Sequence, residues 1–149
     1  MRKMILSAAM VVLAACASSN NAKVDIAQPD VEVQQLSNTP AVAQHVTGGL
    51  SVNLGVAVTN KADIPITLKR INVQSVGTGG YNVPPNSRPF DKVIQPGGTE
   101  QVEFWVGGNA DPSVAGVNGA VALRIRAEFD SSKGAFETTT VHQVQGQIQ

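Results

Sequence analysis

The sequence predicts an all-β fold, an immunoglobulin-like antiparallel β-sandwich of about seven strands. Stretches in which apolar and polar residues alternate recur after position 30, and clusters of glycine, proline, asparagine and serine separate them. Beyond residue 15 no stretch has the 3.6-residue apolar spacing of an amphipathic helix. Short strands joined by turns are typical of two antiparallel sheets packed face to face.

The chain begins with the outline of an export signal. Arg2 and Lys3 precede an apolar run from Met4 to Ala15, and small residues end that run. A run of this length is shorter than the roughly 20 residues that a membrane-spanning helix needs. It also lacks the polar face of a helix packed on a domain. We therefore expect residues 1–15 to be a signal peptide that is removed.

The end of this run, Leu13-Ala14-Ala15-Cys16, resembles the lipobox of bacterial lipoprotein signal peptides. The resemblance implies cleavage between Ala15 and Cys16, acyl chains such as palmitate on Cys16, and attachment to a membrane. Cys16 is the only cysteine, so its thiol has no disulfide partner within the chain. Within the same resemblance, Asp directly after the cysteine would favour retention in the inner membrane; this chain has Ala17, which implies the outer membrane facing the periplasm. The alternative is an ordinary signal peptide with a chance cysteine.

Composition places one domain after a tether. Residues 16–30, the lipidated cysteine and a serine-, asparagine- and alanine-rich segment, are expected to be flexible, and residues 31–149 to form the sandwich. The chain has 11 basic residues (lysine and arginine) and 11 acidic residues (aspartate and glutamate). It therefore lacks the excess of positive charge that nucleic-acid binding needs. The chain has only four phenylalanines, one tryptophan and one tyrosine. We therefore do not expect a platform of aromatic rings on which bases could stack.

The first predicted strands include the clearest alternation in the chain. Val31, Val33 and Leu36 predict a short strand. The run from Leu50 to Thr59 then alternates strictly, and after the turn formers Asn60–Asp63 an alternating pattern resumes and continues to Val76. We expect the two long strands to form a hairpin. A change of phase at Lys69-Arg70 predicts a β-bulge in the second strand.

The middle of the chain contains a proline-rich segment. Tyr81 to Val83 predict an edge strand, and the segment Pro84–Pro89 predicts a stiff surface connection because proline lacks the N–H that a central strand needs. An alternative is a partner-binding loop with Pro84, Pro85 and Arg88 as contact residues. Gln95–Gly98 then fits a type II turn.

The strand after that turn carries the only tryptophan. Val102, Phe104 and Val106 share one face, whereas Glu103 and Trp105 share the other. Trp105 therefore lies on the same face of the strand as the charged residue Glu103. The ring either forms part of an exposed interaction surface or is covered by a loop or by the membrane.

The last third of the chain predicts a hairpin. From Ala120 to Asp130 every second residue is apolar, Ser131–Gly134 predicts a tight turn, and the threonine-rich stretch from Ala135 to Val144 predicts an edge strand. The glycine-rich loop from Gly107 to Gly119 lacks the acidic ligands of a calcium loop.

No motif in the chain carries catalytic chemistry. Ser51 lies in a strand pattern rather than at a nucleophile elbow, and the lipobox resemblance implies that the thiol of Cys16 is acylated and so not available as a nucleophile. His45 and His142 have no ligand-type neighbours at metal-binding spacing. We therefore expect no enzyme activity, no cofactor and no bound metal.

Two stretches resemble the water-stress WHy domain of the type 2 late-embryogenesis-abundant family. Val56–Leu68 is similar to that family's core, and Val93–Thr99 to its later glycine turn and strand. Lys61 departs from the family, which commonly has proline after this asparagine. The resemblance implies a binding or protective module without catalysis. We expect a lipoprotein that presents its sandwich to an unidentified envelope protein or gives structural support; the alternative is a stress-protective protein that limits aggregation during desiccation.

Overall fold

A computed structural model describes residues 24–36, 49–110 and 120–144, and all regular structure in them is β-strand. The strands are β1 (Asp30–Gln35), β2 (Gly49–Thr59), β3 (Ile66–Ser75), β4 (Tyr81–Asn82), β5 (Asn86–Ile94), β6 (Thr99–Ala110), β7 (Val121–Ser131) and β8 (Phe136–Val144). The signal peptide, Cys16 and its cleavage site, residues 17–23 of the predicted tether, His45 and residues 111–119 lie outside the described residues.

The strands form two four-stranded antiparallel sheets. Sheet A has the order β1-β2-β6-β4 and sheet B the order β5-β3-β7-β8. The predicted immunoglobulin-like sandwich is confirmed, with eight strands where about seven were expected. The short strand β1 was predicted from the sequence. The edge positions of β4 and β8 were predicted as well.

Alternation along the strands builds the core between the sheets. On β7 the inward residues are at most 1% exposed: Val121, Leu123, Ile125, Ala127 and Phe129. Phe129 stacks on Phe136 of β8, with ring centroids 5.2 Å apart. The inward side chains of β2 from Val52 to Val58 are equally buried and belong to the same apolar core as those of β3 and β7. Apolar burial of this extent is the main force that holds the sheets together.

The predicted hairpin between the two long strands is wrong. β2 pairs with β1 and β6, whereas β3 pairs with β5 and β7 in the other sheet. Alternation shows which face of a strand is apolar but not which strand lies beside it. Because the apolar faces of β2 and β3 meet across the core, the segment between Asn60 and Pro65 passes from one sheet to the other.

The predicted β-bulge is confirmed. The register of β3 shifts between Leu68 and Arg70 against both β5 and β7. Leu68 and Ile71 are each fully buried although they are three positions apart. The extra residue at Lys69 lets both Leu68 and Ile71 point into the core. For this reason the apolar residues move from even-numbered to odd-numbered positions at this point in the sequence.

The predicted stiff connection over Pro84–Pro89 is wrong from Asn86 onward. Asn86 begins β5, and Pro89 lies inside this strand opposite Arg70. The exclusion of a central strand is confirmed, because β5 is at the edge of sheet B, where a missing N–H is tolerated. The chain leaves sheet A after β4 and enters sheet B at β5, so Pro84 and Pro85 mark the crossover.

Two predicted turns are confirmed. Gly97 has a φ of 71°, and the Gly98 N–H donates to the Gln95 carbonyl at 2.9 Å, as a type II turn requires. Ser131 and Gly134 exchange backbone hydrogen bonds of 3.0 and 3.1 Å. The first turn leads the chain from β5 into β6, and the second places β8 beside β7.

Candidate interaction surface

Trp105 is 55% exposed in the middle of β6. Its neighbours Phe104 and Val106 point into the core and are 8% and 1% exposed. The prediction that the tryptophan points outward is therefore confirmed. Whether a partner covers the ring remains a prediction.

The strand register shows what surrounds this ring. Trp105 lies opposite Asn53 of β2, and the Leu36 N–H donates to the Asn53 carbonyl at 2.8 Å. In the next row Gly55 lies opposite Glu103. The Leu36 side chain covers Gly55, since a Cβ there would lie 3.2 Å from Leu36 Cδ1. We call the outer face formed by Leu36, Asn53, Gly55, Glu103 and Trp105 the Trp105 surface.

The outer face of sheet A is acidic. Its outward-pointing charged residues on β1, β2 and β6 are Asp30, Glu32 and Glu103, and the outward positions of these strands include no lysine or arginine. Lys61, in the turn after β2, lies with Nζ 3.7 Å from an Asp30 carboxylate oxygen. The Trp105 surface therefore combines an aromatic ring with the Glu103 carboxylate, and it lies beside the two carboxylates of β1 on a face whose strands present no cation of their own.

Arg88 lies beside Trp105 although the two belong to different sheets. Its Nη2 donates a hydrogen bond of 2.8 Å to the Trp105 carbonyl oxygen. The Phe90 and Phe104 rings lie 5.8 Å apart, and Lys92 Nζ lies 3.3 Å from a Glu100 carboxylate oxygen. Alternate side chains of β5 thus contact β6 along one lateral side of the sandwich, without backbone pairing between the two strands. Of the residues predicted for an interaction surface, the structure brings Arg88 and Trp105 together.

Pro84 and Pro85, the others predicted, are exposed and do not join the Trp105 surface. Pro85 lines a groove of about 440 Å³ on the outer face of sheet B, together with Asn72, Gln74 and Arg124. Arg124 makes no ion pair with any described residue, whereas its neighbour Arg126 pairs with Glu137. The predicted contact residues are therefore divided between two separate parts of the sandwich.

Two buried polar sites were not recognised in the sequence. Asn60 is fully buried and makes three side-chain hydrogen bonds. The Tyr81 hydroxyl donates to Gln35 Oε1 at 2.7 Å, and both residues are buried. Burial raises the pKa of the Tyr81 phenol above its usual range, because the phenolate is disfavoured away from water. Both sites satisfy buried polar groups and so stabilise the fold. Neither forms part of the Trp105 surface.

Side chains of the types that ligate metals are dispersed over the described residues. They include no group of three or more His, Cys, Asp or Glu side chains placed to hold a metal. His142 Nε2 lies 3.0 Å from the Thr140 hydroxyl on the same strand. The exposed pair Lys69 and Asp91 is 2.7 Å apart, so the hydrogen bond raises the pKa of Lys69 and lowers the pKa of Asp91. In the same residues there is no helix long and apolar enough to cross a membrane.

Comparison with known proteins bears on the fold. No protein-family model matches the chain, and no curated protein matches it. Among solved structures it is similar to the Northeast Structural Genomics Consortium target SoR45, with 10% identity, a TM-score of 0.53 and coverage of 78% of this chain and 83% of that one. A protein from Archaeoglobus fulgidus matches with 10% identity, a TM-score of 0.45 and coverage of 79% and 93%. PapD-like domain 7 of human CEP192 matches with 10% identity, a TM-score of 0.37 and coverage of 98% of each chain.

Proposed function

We propose that this chain is a non-catalytic envelope lipoprotein, anchored through acyl chains on Cys16, whose sandwich binds another envelope protein through the Trp105 surface. The observation that supports the proposal is the 55% exposure of the only tryptophan on a strand that is paired with β2 from Thr99 to Asn109. Tryptophan is enriched among the residues that contribute most to protein interfaces, where it is buried in the complex.

The energy available from this ring is enough to matter. A tryptophan side chain presents about 150–250 Å². At roughly 25 cal/mol per Å², covering the exposed part of Trp105 contributes about 2–3 kcal/mol before the cost of association. The ring is held on a strand rather than on a loop, so little backbone order is lost when a partner binds.

A cross-linking experiment in cells tests the interaction. A photo-reactive amino acid at Ser51, which is exposed on the same outer face opposite Gly107, is expected to give one discrete adduct with a different envelope protein. Trp105→Ala is expected to reduce this adduct at least about fivefold, because the anchor side chain is lost. The same reagent at Thr139, exposed on the outer face of sheet B, should not give it.

The pattern of adducts separates the two roles implied by the sequence. A discrete adduct that depends on Trp105 supports specific binding. Diffuse adducts with many proteins, unchanged by Trp105→Ala, contradict it and favour the stress-protective role. Protection of an unrelated enzyme through drying, compared with an equal mass of an inert protein, would then test that alternative directly.

Lipid attachment has its own prediction. Cys16→Ala is expected to abolish incorporation of labelled fatty acid, because acylation requires the thiol. The protein should also disappear from the outer-membrane fraction and accumulate as precursor or as released chain. Cys16→Ser, which keeps a polar residue of similar size, should behave in the same way. Unchanged labelling in either variant would contradict the lipoprotein assignment.

A further inference from the structure

One lateral edge of sheet A exposes backbone groups that can pair with another strand. In an antiparallel sheet a residue directs its N–H and C=O to the same side. Asn53 directs its carbonyl toward β1, where it accepts from Leu36. Trp105 lies opposite Asn53, so its N–H and C=O point away from β2. The other odd-numbered positions of this part of β6, residues 101, 103 and 107, point the same way.

Little of this edge is occupied by the described residues. β4 pairs with β6 only at Asn109 and Ala110. From Gln101 to Gly107, a stretch that we call the open edge, no described strand pairs with β6 on this side. Of the three β5 side chains that reach β6, Phe90 and Lys92 contact side chains, and only Arg88 binds a backbone group of the open edge, the Trp105 carbonyl. The stretch has no proline, and its register with β2 has no bulge. The outer edges of β5 and β1 are less suited to pairing, since β5 contains Pro89 and β1 is short.

We propose that the open edge pairs with the open edge of a second copy of this chain, in an antiparallel and two-fold symmetric arrangement. Strand addition at an edge gains main-chain hydrogen bonds without rearranging the sheet. A symmetric pairing uses the same surface on both subunits and closes at a dimer. The inference rests on backbone geometry and holds with or without the function proposed for the Trp105 surface.

The sequence of the open edge selects one register. Centring the pair on residue 103 places two Glu103 carboxylates opposite each other, which is unfavourable. Centring it on residue 105 requires Asn109, whose edge is already paired with Asn82. Centring it on residue 104 pairs Gln101 with Gly107 of the partner subunit and Glu103 with Trp105 of the partner subunit. This register uses the whole open edge and opposes no like charges.

The second copy fits this edge for reasons of space as well as charge. A side chain at Gly107 would meet no atom within 4 Å, so the outer face beside Gly107 has room for the side chain of Gln101 of the partner subunit. In the dimer the two outer faces of sheet A become continuous. Both Trp105 surfaces then lie on one side of an extended sheet, where the rings remain available to other proteins.

Sedimentation of the mature chain from residue 16, with Cys16→Ala to keep it free of lipid, tests the dimer. A concentration-dependent dimer is expected. Glu103→Pro removes an N–H that faces the open edge, and should weaken the dimer at least about tenfold without loss of β-structure. Glu103→Ala keeps that N–H and is the matched control. Arg88→Ala releases the Trp105 carbonyl and should strengthen the dimer severalfold.

Disulfide trapping tests the register without relying on the proline variant. Paired residues that exchange hydrogen bonds have Cα atoms about 5.5 Å apart, within the range that a disulfide spans. In the Cys16→Ala background, Gln101→Cys with Gly107→Cys should form an intermolecular disulfide, and Gln101→Cys alone should not. A monomer at all concentrations without this disulfide would overturn the proposal. Heterologous adducts from Ser51 in cells would still support the proposed function in that case.

Discussion

Replacing Asn60 by alanine is expected to lower the free energy of unfolding by about 3–5 kcal/mol. The Asn60 Nδ2 donates to the carbonyls of Ile64 at 2.8 Å and Ile94 at 3.0 Å, and Oδ1 accepts from the Ala62 N–H at 2.9 Å. Alanine leaves these backbone groups without their side-chain partner next to a fully buried position. Each buried polar group that loses its partner costs about 1–3 kcal/mol.

Two matched variants separate this effect from a general sensitivity of the turn. Lys61→Ala changes the next residue, which is exposed, and should cost less than about 1 kcal/mol. Asn60→Asp keeps an acceptor for Ala62 but places a carboxylate against two carbonyl oxygens, so at neutral pH it should destabilise at least as much as alanine. Chemical denaturation followed by circular dichroism measures all three. A loss below about 1 kcal/mol for Asn60→Ala would contradict the argument.

The role of Asn60 explains why the topology was not predictable from the sequence. Asn60–Asp63 between two alternating runs is the pattern of a hairpin turn, and local chemistry favours that interpretation. The side chain instead bonds to Ile94, which is 34 residues away, and the Asn60 backbone exchanges hydrogen bonds with Gly97 and Gly98. These long-range partners fix the crossover between sheets, and no local stretch of the sequence contains them.

Features that depend on local pattern were predictable. The inward face of β7, the bulge at Lys69 and the outward direction of Trp105 each follow from the two-residue period of a strand. The turn at Gly97 follows from the need for positive φ after proline. In these cases the residues that determine the structure are neighbours along the chain.

The candidate surface was predictable only in part for the same reason. Exposure of Trp105 follows from its phase, but the hydrogen bond from Arg88 depends on how two sheets pack at their edge. Proximity in the sequence groups Pro84 and Pro85 with Arg88. The chain turns from one sheet to the other at these prolines, and this turn separates them from the Trp105 surface.

The stability of the protein is expected to fall above about pH 10 because of Tyr81, the only tyrosine. Burial raises the pKa of its phenol from the ordinary value of 10.0, so the folded state keeps the proton while the unfolded chain releases it. The unfolded state then binds fewer protons, and the free energy of unfolding decreases as pH rises. The slope for one such group is about 1.4 kcal/mol per pH unit until the folded-state pKa is reached.

Tyr81→Phe isolates this contribution, since lysines that titrate in the same range are unchanged. At neutral pH the variant should lose about 1 kcal/mol, because Gln35 no longer accepts the hydroxyl hydrogen bond at 2.7 Å. Above about pH 10 its stability should fall less steeply than that of the parent, so the two curves approach each other. Phenolate absorbance in the folded parent should appear only above the ordinary tyrosine range. Parallel curves, or phenolate formed in the ordinary range without unfolding, would show that Tyr81 reaches water and that β4 does not seal the core.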